Sequence, residues 1–203
     1  MRPIFLLWLI GALLLIQETA SLTLPAKNFP AANGAVYALE ATSSTLFIGG
    51  AFTEIGTPTG GAMELGSNST EISTGFPKIK GHIISAIPDR GGGWYLGGEF
   101  TFVDGSEVEN LVHITHEQTL DENFNPDPDG LVTSLALSPD GKILYAGGAF
   151  TSMGNQARNG LAAINTVNGS VLSFNPAPDQ ANLKALALSP EDKPFTSLET
   201  SPN

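Results

Sequence analysis

The chain has 203 residues, 23 of them Gly and 14 Pro, with no Cys, and its 9 Lys plus Arg against 20 Asp plus Glu give a formal charge of −11. With no thiol there is no disulfide framework, thiolate zinc site, iron–sulfur cluster or cysteine nucleophile. The acidic balance argues against nucleic acid as a partner, because phosphate binding rests on clustered Lys and Arg, while 41% hydrophobic residues are enough for a core.

At the N-terminus Arg2 precedes an unbroken apolar run, Ile4 to Ile16, of 13 residues. A helix that crosses a bilayer needs about 20. A basic start, a short apolar stretch and small residues after it describe a secretory signal peptide over residues 1–21, cut near Ala20 or Ser21. A retained anchor is the alternative. Cleavage removes Arg2 and Glu18 together, so the charge stays at −11. The chain is expected outside the cytoplasm, either secreted or at the cell surface or in the periplasm, with no stable transmembrane span after cleavage.

Residues 22–33 follow, with Phe29-Pro30 as a possible last strand of a shared sheet. From residue 34 a repeat organises the chain. FIGGAFTEIG, YLGGEFTFVDG and YAGGAFTSMG place the first Gly of a pair at Gly49, Gly97 and Gly147, 48 and 50 residues apart. Phe29, Phe76, Phe124 and Phe174, each ahead of a Pro, recur with nearly the same period, as do apolar segments opening at Val36, Ile83, Val132 and Leu183. The units span 34–80, 81–129 and 130–180, with a partial one at 181–190 and a non-repeating tail, 191–203, expected to be irregular.

Each unit offers four short strand candidates. They are Val36–Glu40, Thr45–Gly50, Ala62–Leu65 and Glu71–Thr74 in the first unit. The second has Ile83–Ile87, Trp94–Gly98, Leu111–Thr115 and Asp121–Phe124. The third has Val132–Ser138, Ile143–Gly148, Leu161–Thr166 and Ser170–Phe174. Ser138-Pro139-Asp140-Gly141 and Asn168-Gly169 are turn signals. No segment holds a 3.6-residue apolar period, so no long helix is expected beyond the signal peptide. Four antiparallel strands in about 50 residues fit a β-propeller blade. The expected fold is therefore all-β, with about three complete four-stranded blades and a partial fourth. Phe52, Phe100 and Phe150 are expected to plug the space between neighbouring blades, and Ile55, Val103 and Met153 form the next matching apolar column of the scaffold.

The double Gly is similar to that of kelch repeats. The fuller pattern of GGxFT, an apolar third strand such as NLVHIT or GLAAIN, and then FNP resembles the delta-60 β-propeller repeat of exported microbial proteins. The resemblance runs from about Gly34 to Pro190. It implies an extracytoplasmic propeller and no particular catalytic residue. GGAMELG departs from it in the first unit, and after Pro190 the sequence EDKPFT replaces the expected DGKxLYxGGxFT, which suggests a truncated chain.

Candidate chemistry is sparse. His113 and His116 have a spacing that metal ligands use, but on a strand they would face opposite ways. His82 is isolated at the opening of a strand. The acidic stretch Asp121–Gly130 lacks the closing Glu of a calcium loop, so a turn between units is the better reading. Gly91–Gly93 has no Lys or helix after it and is not a phosphate loop. Asn68-Ser69-Thr70 and Asn168-Gly169-Ser170 match the glycosylation acceptor. There is no GxSxG or HExxH motif. No catalytic, cofactor-binding or metal residue is assigned, and no cofactor is expected. The sequence therefore points to an exported binding or adhesion scaffold for an extracellular protein or glycan. The alternatives are a secreted propeller enzyme of the quinone-dependent dehydrogenase or glycosidase type, or a fragment of a larger repeat protein. Closed propellers use four to eight blades, so three and a part should leave sheet faces uncovered and favour self-association.

Overall fold

Why each unit carries two adjacent glycines is answered by what stands opposite them. The computed structural model describes residues 32–55, 57–58, 60–66, 75–176, 182–188 and 194–195, and among these it is all-β, with no helix. The first unit holds β1 (Ala35–Ala41) and β2 (Thr45–Ala51), the small ladder β3 (Glu54–Ile55) with β4 (Thr57–Pro58), and β5 (Ala62–Gly66). The second holds β6 (Ile79–Pro88), β7 (Trp94–Val103), β8 (Ser106–Glu107) and β9 (Leu111–Ile114). The third holds β10 (Leu131–Leu137), β11 (Ile143–Ala149), the ladder β12 (Ser152–Met153) with β13 (Gln156–Ala157), and β14 (Leu161–Asn165). In every unit the second strand lies between the first and the third, all antiparallel. The signal-peptide segment, Phe29-Pro30, Glu71–Thr74 and Asn68–Thr70 lie outside the described residues.

The Gly pairs lie one residue short of the ends of β2 and β11, close to where the sequence placed those ends, while β7 runs on past its pair to Val103. They sit inside β2, β7 and β11, where the two glycines do different work. The second of each pair faces a bulge in the first strand, which carries one extra residue there: Tyr37, Ile84 and Thr133. A Cβ at Gly50, Gly98 or Gly148 would run into the carbonyl oxygen of Ala35, His82 or Leu131. The first of each pair faces the next unit. A Cβ at Gly49 would lie 2.7 Å from Ile83 Cγ2, and one at Gly97 would lie 2.6 Å from Val132 Cγ1. At Gly147 the neighbours are Leu183 and Leu186, 3.2 Å away.

These contacts stack the sheets in chain order: β6 packs on β1 and β2, and β10 packs on β6 and β7. The first interface is filled by Phe47, Phe76, Trp94 and Phe100, with Phe47 and Trp94 centroids 5.1 Å apart. The second is filled by Tyr95, Phe124, Val132, Leu144 and Phe150. Phe52, with Ile55 and Met63, lies in a third cluster on the first sheet. All three Phe of the repeat, and Ile55, Val103 and Met153, are buried.

The fourth strands expected at Asp121–Phe124 and Ser170–Phe174 are not strands. Single bridges replace them, Ile114 to Leu120 and Ile164 to Val171. In the second unit the Asp121 carboxylate takes the Asn123 amide at 3.0 Å and the Phe124 amide turns back to the Asp121 carbonyl at 3.1 Å. That Asx-type turn bends the chain out of the ladder and drives Phe124 into the interface with the third sheet.

Residues 182–188 continue the stack. The Leu183 amide donates to the Gly148 carbonyl at 3.1 Å, the Leu186 amide donates to Ser134 Oγ at 2.8 Å, and the Thr133 hydroxyl donates to the Leu183 carbonyl. In the stretch where the sequence shows no second strand, β16 (Pro194–Phe195) pairs with β15 (Ala187–Leu188). At the other end of the stack, β1 is largely exposed among the described residues. Val36 and Leu39 are 47% and 62% exposed, whereas their counterparts Ile83, Val132, Ala86 and Leu135 are all buried.

Gly97→Val should lower stability by about 1–3 kcal/mol through overpacking against Val132. Gly91→Ala, where a Cβ meets nothing closer than 3.4 Å, should stay within about 0.5 kcal/mol. Urea midpoints of the two variants check the contrast.

Candidate functional site

The turns joining first and second strands share one device. The residue that opens each turn donates its amide to the residue that closes it, and its side chain accepts that residue's amide. Thr42 Oγ1 takes the Thr45 amide at 3.0 Å, Asp89 Oδ1 takes the Gly93 amide at 2.8 Å, and Ser138 Oγ takes the Ile143 amide at 2.9 Å. The backbone bonds back are 2.9, 3.0 and 2.8 Å. A short side-chain oxygen suffices for this job, so Thr, Asp and Ser serve alike. Asp89 also takes the Gly91 amide at 2.6 Å, and as a carboxylate it has an oxygen left over.

That second oxygen meets His113. The residue lies on β9, opposite Tyr95 in the ladder, and the corresponding positions on the other third strands are Glu64, opposite Phe47, and Ala163, opposite Tyr145. His113 Nε2 is 2.9 Å from Asp89 Oδ2, and Nδ1 is 2.9 Å from Asp121 Oδ2. The Asp121 amide donates to the His113 carbonyl at 3.0 Å. Tyr95 stacks on the imidazole with centroids 4.5 Å apart, and Phe124 meets it edge-on at 5.9 Å. The His113 side chain is 12% exposed. The corresponding Glu64 is also buried and accepts from Gln118 Nε2 at 3.1 Å.

The electrostatics follow from this packing. Burial works to lower the basicity of His113, but the bonds to Asp89 and Asp121 and the negative charges of both raise it above the ordinary 6.5. Burial works to raise Asp89, but the His113 bond and the Gly93 and Gly91 amides hold it below 3.8. Burial, then the charges of Asp89 and Asp121, push the Tyr95 phenol up to about 12, against a hydrogen bond with Thr166. The stabilisation from His113 is whole below 6.5 and is lost as pH rises through its folded value. The Asp89 share is whole above 3.8 and is lost as pH falls through its folded value. Both act fully between those two pH values.

The structure separates the residues that the sequence singled out. His116 lies in the turn after β9, exposed, with Nδ1 3.0 Å from Glu117 Oε2, so it does not share a site with His113. His82 on β6 meets Tyr37 edge-on at 6.5 Å. The carboxylates of the acidic stretch have divided tasks. Asp121 binds His113, while Asp129 takes the Thr151 hydroxyl at 2.6 Å and the Thr151 and Ser152 amides at 2.7 and 2.9 Å. Burial opposes ionisation of Asp129, but these donors hold it down to about 2. Asn33 does the same work two units earlier, accepting the Thr53 and Glu54 amides. Gly91–Gly93 forms the turn that Asp89 caps, and Asn168 Oδ1 takes the Ser170 amide at 3.0 Å. Among the described residues no three His, Asp or Glu side chains are grouped to hold a metal ion.

Sequence reasoning did not find the Asp89–His113–Asp121 cluster. A signal was present: with the units aligned, Asp89 replaces a small hydroxyl residue and His113 replaces Ala163 at one end of the same unit.

No protein family and no curated protein matches the sequence. Among solved structures the chain is similar to the computationally designed Ika4 protein, with a TM-score of 0.56 and 12% identity over 81% of this chain and 88% of that one. It is also similar to Kuenenia stuttgartiensis hydrazine synthase, with a TM-score of 0.52 and 14% identity over 88% of this chain. The chain spans only 43% of that second protein. At such identities the likeness bears on the fold alone.

Asp89→Ser should keep the turn cap and lose the imidazole bond, at a cost of about 1–3 kcal/mol, and Asp89→Ala should lose both and cost about 1 kcal/mol more. In wild type, stability to urea should decline as pH rises through the folded His113 value. In His113→Gln that decline should flatten.

Proposed function

We propose that this chain is an exported β-propeller-type scaffold that binds an extracellular protein or glycan through the loops at one end of its sheets. The observation that carries this reading is a constant cap under a variable tip. Thr42, Asp89 and Ser138 fix three turns in the same way, while the tips read Ser43-Ser44, Arg90-Gly91-Gly92 and Pro139-Asp140-Gly141-Lys142. Variable loops on a rigid repeated frame are where repeat proteins place recognition.

The tips of the second and third units form one surface. The Thr166 amide and hydroxyl, after the third strand of the third unit, bond to the Lys142 and Gly141 carbonyls at 3.1 and 2.9 Å, and Gly92 faces His116. Arg90 Nη1 donates to the Pro139 carbonyl and so joins the tips of neighbouring units. Arg90, Glu117, Asp140 and Lys142 are exposed there and supply both signs of charge. The propeller arrangement is supported by the repeat, the sequential stacking and the glycines that permit it. Export is supported by Arg2 and the apolar run that follows it. The exposed β1 strand, with Val36 and Leu39, supports self-association as a second property.

Glycan arrays and pull-downs from surface extracts test the binding reading. Arg90→Ala with Lys142→Ala should weaken capture at least tenfold. Glu107→Ala with Asn155→Ala, at the opposite end of the sheets, should leave it unchanged. The opposite pattern, or no capture by a folded chain, would sink it. Light scattering should show an assembly that Val36→Asp with Leu39→Asp dissociates.

A further inference from the structure

His113 is a histidine with a carboxylate on each ring nitrogen, and a carboxylate can only accept. Both bonds, at 2.9 Å, therefore need both nitrogens to donate, which only the imidazolium does. The two carboxylates come from different segments. Asp89 holds the 89–93 turn through the Gly91 and Gly93 amides, and Asp121 holds the bend into the third unit through the Asn123 amide. We propose that Asp89, His113 and Asp121 form a charge-dependent clasp: doubly protonated, His113 ties the 89–93 turn to the 121–124 bend, and loss of one proton opens one of the ties and loosens the loop end.

The clasp is well placed to act this way. When His113 loses a proton, one ring nitrogen presents a lone pair to a carboxylate, and the pair repels instead of binding. The site is nearly closed to water, so little solvent is at hand to fill the gap. The titratable groups facing the ring are Asp89 from the turn, Tyr95 from β7 and Asp121 from the bend. Among the described residues of the third unit, the Thr166 hydroxyl reaches toward the ring by way of Tyr95. The nearby side chains of Arg90 and His116 are engaged elsewhere, Arg90 with the Pro139 carbonyl and His116 with Glu117. Because Arg90 belongs to the turn that Asp89 caps, a loosened turn also releases the tie to the third unit. The device goes beyond the binding reading and stands whether or not the loop end has a ligand.

Nuclear magnetic resonance of the purified chain across pH tests it. The His113 ring signals should titrate above 6.5. The amides of Gly91 and Gly93, or that of Asn123, should move with them and not with His82 or His116. In Asp121→Asn the midpoint should fall by roughly one unit, because one stabilising charge is gone. In His113→Gln the transition at those amides should vanish. Should that variant fail to fold, Asp121→Asn still decides. A His113 midpoint at or below 6.5, amides that ignore it, or a midpoint unchanged in Asp121→Asn overturns the clasp.

Discussion

The fold depends on a missing side chain. Where Gly49 and Gly97 face Ile83 and Val132, the second strand of one sheet gives up its Cβ so that the first strand of the next can seat a branched residue against bare backbone. Dispersion falls off steeply with distance, so closeness of this kind turns an apolar contact into a specific one. The adjoining glycine permits the bulge that brings the first strand into place. Two neighbouring residues thus set the strand pairing within a sheet and the packing between sheets, which explains why the pair recurs as a unit.

On that frame the molecule varies what it can afford to vary. Turn caps change among Thr, Asp and Ser while the turns differ in length, because each supplies an acceptor that the closing amide can reach. The third-strand column changes among Glu64, His113 and Ala163 at one ladder position. Where both changes fall in the same unit, a structural oxygen acquires a charged partner. The cluster between the second and third sheets is thus built from positions that do only structural work in the other units.

Much of the fold was legible in the sequence. The Gly pairs, the Ser138–Gly141 turn and Asn168-Gly169 placed three strands per unit within a few residues of where they lie. The fourth strands of the second and third units were misread, because only single bridges form there, and in the second unit Asp121 uses its carboxylate to bend the chain out of the ladder. The partnership of Asp89 with His113 was hidden by their separation of 24 positions. It depends on a register between β7 and β9 that no local pattern encodes. Asp129 was hidden differently: in a row of acids it looks like part of a charged run, and only its three donors show that it closes a unit.

The sequential stacking also sets an order of vulnerability. In a nearest-neighbour array each sheet is held by what covers its two faces, so disorder enters from the ends and advances one sheet at a time. Among the described residues, the first sheet has Val36 and Leu39 exposed, and the third is covered by residues 182–188, which end in a two-residue ladder. The second sheet has a full neighbour on each side and should be the last to yield to heat or to pulling. It is also the sheet that buries the imidazole and its carboxylates, so the most water-sensitive contacts of the molecule lie where water arrives last.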